Sequence, residues 1–97
     1  MIIIKNILWT EEVADKIQWK HQVTPQEVEE MLFRNPYIVF KEKGRRNVQE
    51  NVYIAFGMTN SGRYLFVLFI LKMTKEALIL TARDMTNSER KYYEKKR

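Results

Sequence analysis

The chain has no cysteine, one histidine, three glycines and two prolines in 97 residues. Without cysteine there is no disulfide framework and no thiolate metal site, and a lone His21 cannot anchor the usual histidine-rich zinc constellations. The sequence also lacks an apolar run near the ~20 residues that a membrane-spanning helix needs. The run before Trp9 is interrupted by Lys5, and the longest, Tyr64 to Leu71, is far too short. A signal-peptide core is absent for the same reason. There is no internal repeat, linker or low-complexity segment. These absences lead to the expectation of a metal-free, cofactor-free cytoplasmic protein that does not enter membranes, folded as a single domain over 1–97.

Composition is that of a globular chain, with 45% hydrophobic and 30% charged residues. The charge is basic: 17 Lys+Arg against 12 Asp+Glu, net +5. Such an excess suits RNA, DNA or an acidic protein partner, although solubilising surface charge accounts for much of it. It is concentrated late in the sequence, where Arg83, Arg90, Lys91, Lys95, Lys96 and Arg97 face only Asp84, Glu89 and Glu94.

Taken in order, Ile2 to Trp9 reads as a β-branched strand. Thr10-Glu11-Glu12 opens a helix with a hydroxyl cap and two carboxylates at the positive end of its dipole, and Val13, Ala14, Ile17 and His21 recur along one side. Thr24-Pro25-Gln26-Glu27 is a second start, a capping box with proline at the first helical position; Val28, Met31 and Leu32 form its buried stripe. Asn35-Pro36 ends that helix. Tyr37 to Phe40 is a short strand, followed by a basic loop from Lys41 to Asn47 that includes Arg45 and Arg46. Asn51 to Gly57 and Arg63 to Leu71 form a hairpin. The unbroken apolar run Tyr64–Leu71 predicts a central strand buried on both faces. Two helices cover only one face, so the C-terminal helix, a second copy or another protein must shield the other. A final strand around Leu78–Arg83 leads into Thr86-Asn87-Ser88-Glu89, another capping box. The order β-α-α-β-β-β-β-α predicts an α+β domain with a mainly antiparallel sheet of four to five strands, two N-terminal helices packed on it and a C-terminal helix.

These residues resemble the BrnT family, the toxin halves of bacterial type II toxin–antitoxin pairs, which share the RelE-like ribonuclease fold. The resemblance includes Trp9, Lys20-His21 with Val23-Thr24 and Glu27-Val28, Asn35-Pro36, Gly57, Gly62 to Val67, and Thr81-Ala82-Arg83-Asp84-Met85-Thr86 with Glu89-Arg90 and Tyr92-Tyr93. It implies RNA cleavage without a metal, in which the substrate's 2'-hydroxyl attacks the neighbouring phosphate. It also implies neutralisation by a cognate antitoxin, a DNA-binding protein of ribbon-helix-helix or similar type.

That chemistry needs guanidinium groups at the phosphate plus residues that accept and donate a proton. Arg83 and Arg63 match family positions for the first role; His21 and Glu50 are nominated for the second, with Tyr92 or Tyr93 behind them. Lys20, Arg45, Arg46, Arg90, Lys91 and Tyr92 are candidate RNA contacts. Antiparallel pairing of the last two strands is expected to put Arg63 and Arg83 at opposite edges. Structural readings stand beside these: Arg63 flanking the hairpin, Glu50 solvated, His21 packed in the core, Glu89 serving as a cap, and Tyr92 and Tyr93 holding the last helix on the sheet. For His21, Glu89 and the tyrosines the structural reading takes precedence. Three positions depart from the family pattern: Gln22 replaces glycine, Val52 an arginine and Met58 a basic residue. The two missing charges support an alternative function, a catalytically weak or inactive module that binds a partner or nucleic acid; a homodimer through the bare sheet face is a third reading.

Overall fold

In a computed structural model that describes residues 2–43 and 50–97, five strands form one mixed sheet in the order β1-β5-β4-β3-β2. These are β1 (Asn6–Leu8), β2 (Tyr37–Glu42), β3 (Asn51–Met58), β4 (Tyr64–Leu71) and β5 (Glu76–Asp84), with helices α1 (Glu11–His21), α2 (Pro25–Leu32) and α3 (Asn87–Lys96). The expected element order and α+β class hold. The first strand is shorter than its Ile2–Trp9 pattern predicts: only Asn6 to Leu8 pair, and they run parallel to Glu76–Leu78. The second strand is longer than expected, continuing past Phe40 to Glu42 through a bulge.

β4 lies centrally, antiparallel to both β3 and β5. Successive side chains in a strand point to opposite faces. Leu65, Val67 and Phe69 accordingly enter the core on the front face, with Ala55, Ile79 and Ala82 from neighbouring strands and Ile17, Val28 and Met31 from α1 and α2. Burying a leucine or phenylalanine of this kind contributes about 1.5–3 kcal/mol. Helix α2 approaches β3 at Gly57, where an added Cβ would lie 3.0 Å from the Met31 methyl carbon.

The back face is not buried to the same depth, contrary to the expectation from the unbroken apolar run. Helix α3 covers only one end of it. Tyr93 sets its ring edge-on to Tyr64, and Tyr92 does the same to Tyr37 and Phe56. Tyr93 is buried and Tyr92 is 40% exposed. Across the remainder of this face run two apolar rows, Val39–Ile54–Leu68 and Val52–Ile70–Leu78; apart from Val52 these side chains are half-buried.

Helix starts follow the sequence closely. Thr10, Thr24 and Thr86 are the N-caps, and both Thr24–Glu27 and Thr86–Glu89 close as capping boxes. The C-cap of α1 is Gln22, at φ 54° and ψ 36°. This left-handed conformation favours glycine, the residue the family pattern has here, because a Cβ crowds the following carbonyl. Gln22→Gly is therefore expected to stabilise the fold by about 0.5–1 kcal/mol, after allowing for the extra freedom of glycine when unfolded. A thermal melt should show a midpoint raised by a few degrees; a lowered midpoint would mean that the Gln22 amide, which donates to the Trp19 carbonyl at 3.1 Å, matters more than the backbone conformation.

The sheet corrects one further expectation. Phe66 pairs with Arg83 and Leu65 with Asp84, so Arg63 and Arg83 lie at the same end of the sheet. An antiparallel pair sets the start of one strand beside the end of its neighbour; alternation of side chains then sends the two arginines to opposite faces.

Candidate active site

Each of these arginines meets the glutamate of a capping box. On the front face, Arg63 Nε donates to Asp84 Oδ1 at 2.7 Å and Nη2 to Oδ2 at 3.1 Å. Nη1 donates to Glu27 Oε1 at 3.1 Å and to the Gln22 carbonyl at 2.7 Å; Nη2 also reaches the His21 carbonyl at 3.1 Å. A guanidinium has five N–H groups, and here all five are engaged. The ion pair holds Arg63 more firmly protonated than usual, chiefly through its hydrogen bonds to Asp84. Arg63 thus ties the end of α1, the start of α2 and the end of β5 together, with no donor left over for a phosphate.

On the back face, Arg83 Nη1 and Nη2 donate to the two carboxylate oxygens of Glu89 at 2.8 and 3.0 Å, and Nη1 also donates to the Asp84 carbonyl at 3.0 Å. Its guanidinium carbon lies 3.9 Å from the centre of the Phe66 ring. Among the described residues, Nε and the second hydrogen of Nη2 have no acceptor, and the side chain is 32% exposed. The group is held flat and in place by one carboxylate while keeping donors for a second anion. Glu89 therefore does more than cap a helix: it accepts from the Thr86 amide at 2.9 Å and fixes Arg83 as well.

Both carboxylates are acidified, Glu89 by hydrogen bonds from Arg83 and Asp84 by hydrogen bonds from Arg63, with His21 acting on Asp84 in the same sense. A carboxyl group whose pKa is depressed by folding contributes stability above its unfolded pKa and loses it as pH falls through the folded value. From pH 8 down to about 5 these two groups should leave the melting temperature unchanged; below roughly pH 4.5, near the ordinary carboxylate range, it should fall. Asp84→Asn and Glu89→Gln variants should have a flatter acid limb in melts taken across pH, and an unaltered limb would show that other carboxylates govern it.

The remaining nominated residues disperse. His21 is half-buried at the end of α1, on the Arg63 side. Glu50 precedes β3 at the far end of the sheet, paired with Lys72 at 2.9 Å. At ~3.4 Å per residue, the length of β3 puts roughly 25 Å between Glu50 and the arginine end. Glu50 and the two arginines do not converge. Lys20 is exposed on α1 and Lys91 on α3; Arg90 covers the Tyr64 ring at 3.9 Å; Arg45 and Arg46 lie outside the described residues. Val52 and Met58, the departures from basic residues, are on β3, and Met58 Sδ accepts from Arg97 Nη1 at 3.1 Å. Among the described residues no three of His, Asp and Glu gather as a metal site requires, and no helix is long and apolar enough to cross a membrane.

Comparison with curated protein sequences gave no match. A family profile described as "Ribonuclease toxin, BrnT, of type II toxin-antitoxin system" matches residues 9–89, a span that opens at Trp9 and closes at the glutamate holding Arg83. By that match over most of its length, with both arginine–glutamate pairs inside it, the chain belongs to the BrnT family of ribonuclease toxins.

Proposed function

We propose that the protein is an endoribonuclease toxin that cleaves RNA without a metal ion, with Arg83 as its phosphate-stabilising residue, and is neutralised by its cognate antitoxin. The observation that carries this is the Arg83–Glu89 pair on the aromatic end of the back face, a guanidinium preorganised but not saturated. In the reaction the substrate's 2'-hydroxyl loses its proton as its oxygen bonds to phosphorus, the bond from phosphorus to the 5'-oxygen breaks and that oxygen takes up a proton, and the products are a 2',3'-cyclic phosphate and a 5'-hydroxyl. Negative charge grows on the phosphoryl oxygens, and a fixed guanidinium stabilises it without reorganising. Arg63, with its donors consumed, is a positioning residue: it holds the end of β5, and with it the segment that carries Arg83.

The two apolar rows of the back face support neutralisation by direct cover, since an antitoxin segment lying over them would also reach Arg83. Purified antitoxin-free protein should cut single-stranded RNA in the presence of a chelator, leaving cyclic phosphate ends that are identified by mass spectrometry. Intact RNA across several substrates would overturn the nuclease reading. It would favour the second reading, a binding module, which the dispersal of Glu50 and the saturation of Arg63 support.

A further inference from the structure

Beside α3, a cleft of about 470 Å³ opens between the end of α2, the start of β2 and the C-terminal turn of the helix. Its lining includes Arg34, Asn35, Tyr37, Tyr93, Lys96 and Arg97, of which the sequence singled out only Tyr93 as a site candidate. Arg34 is anchored by donation from Nη1 to the Thr59 carbonyl at 2.8 Å. Asn35, at φ 52°, turns the chain so that Arg34 and Tyr37 border the same space. Lys96 lies 5.6 Å from the Tyr92 ring centre and Arg97 5.7 Å from that of Tyr93. Arg97 shares its charge with Glu94 at 3.0 Å, whereas among the described residues neither Arg34 nor Lys96 is paired with a carboxylate.

We propose that this cleft is a nucleotide subsite, which takes one phosphate between Arg34 and Lys96 and lays the adjoining base against the half-buried Tyr37 ring. Unpaired cations interleaved with aromatic faces are the combination by which proteins hold single-stranded nucleic acid. The volume falls within the range of small-ligand pockets, roughly 300–1,000 Å³. Continuity selects RNA as the occupant. From Arg83 a line of cations on rings passes through Arg90 on Tyr64 to Arg97 on Tyr93, and Tyr64 and Tyr93 touch edge to face. A strand cut at Arg83 can therefore run along α3 into the cleft. The subsite rests on the RNA reading above, and it explains how the protein retains substrate despite Val52 and Met58: the missing positive charges of β3 are replaced at the end of α3.

The test is fluorescence anisotropy with a labelled single-stranded RNA carrying 2'-O-methyl groups throughout, which block the attacking oxygen and leave the phosphates intact. An Arg34→Gln, Lys96→Gln double variant should bind about tenfold more weakly, and the slope of log affinity against log salt should become shallower by roughly 0.7, the share of the one phosphate that is released. Lys96→Gln alone, on the exposed helix end, should show about half the slope change and guards against misfolding of the double variant. Unchanged affinity and slope in both variants overturn the subsite. If the wild type binds and cuts RNA but the variants bind equally well, the subsite alone falls. If the wild type does not bind the probe, the subsite falls, and cleavage of unmodified RNA decides the nuclease reading. If binding is lost in the variants while the wild type never cuts, the subsite stands and the nuclease reading falls.

Discussion

Arg83→Ala is expected to lower RNA cleavage by about 10²–10³-fold, the range found when one preorganised donor to a developing oxyanion is removed. The fold should survive, because Glu89 keeps its place in the Thr86 capping box and the lost pair is partly exposed, worth about 1 kcal/mol or less. Arg83→Lys keeps the charge but has no planar fork to engage the Glu89 carboxylate and a phosphate together, so it should recover only part of the rate. Single-turnover cleavage measured beside a thermal melt separates the two effects. A rate unchanged in a folded Arg83→Ala protein would remove Arg83 from the chemistry and leave its pair with Glu89 as a purely structural tie.

The largest effect on stability is expected from Arg63→Ala, about 2–4 kcal/mol. The substitution strands two carboxylates and the carbonyls of His21 and Gln22 where one side chain served them all, and a buried acceptor left without its partner costs about 1–3 kcal/mol. Solvent reaching Asp84, whose side chain is 61% exposed, keeps the total at the lower end of the sum. For a domain of this size the melting temperature should drop by about 10–25 °C. Arg63→Lys should fail to restore it, since three donors at one nitrogen cannot meet acceptors spread around a fork. At a temperature where the variant is still folded, its cleavage should fall less than that of Arg83→Ala. A stable but inactive Arg63→Ala protein would show instead that Arg63 acts on the substrate.

The helix starts and most strands were legible because their signals are local: Thr24-Pro25 with Glu27 and Thr86 with Glu89 need only a few neighbouring residues to be recognised. What the local signal concealed was the second partner of each glutamate. A carboxylate that caps a helix keeps lone pairs for another donor, and which arginine reaches it depends on strand register. For the same reason the strand pattern alone sets Arg63 and Arg83 at opposite edges, whereas pairing of Leu65 with Asp84 puts them at one end. Composition overstates the first strand: Ile2 to Ile4 are as β-branched as a strand requires, yet only Asn6–Leu8 pair with β5. The cleft is not legible in the sequence because Lys96 lies about sixty residues from Arg34 and Tyr37, and the three belong to no motif.

The parallel pairing of Asn6–Leu8 with Glu76–Leu78 sets an order on synthesis. β1 is made early, but its partner strand follows only after β2, β3 and β4, and domains fold as their segments emerge. Arg83 and the glutamate that orients it lie later still. A chain that stops between Asp84 and Glu89 has every strand of its sheet but lacks the carboxylate that holds the Arg83 guanidinium, so the pair forms only after the sheet is complete.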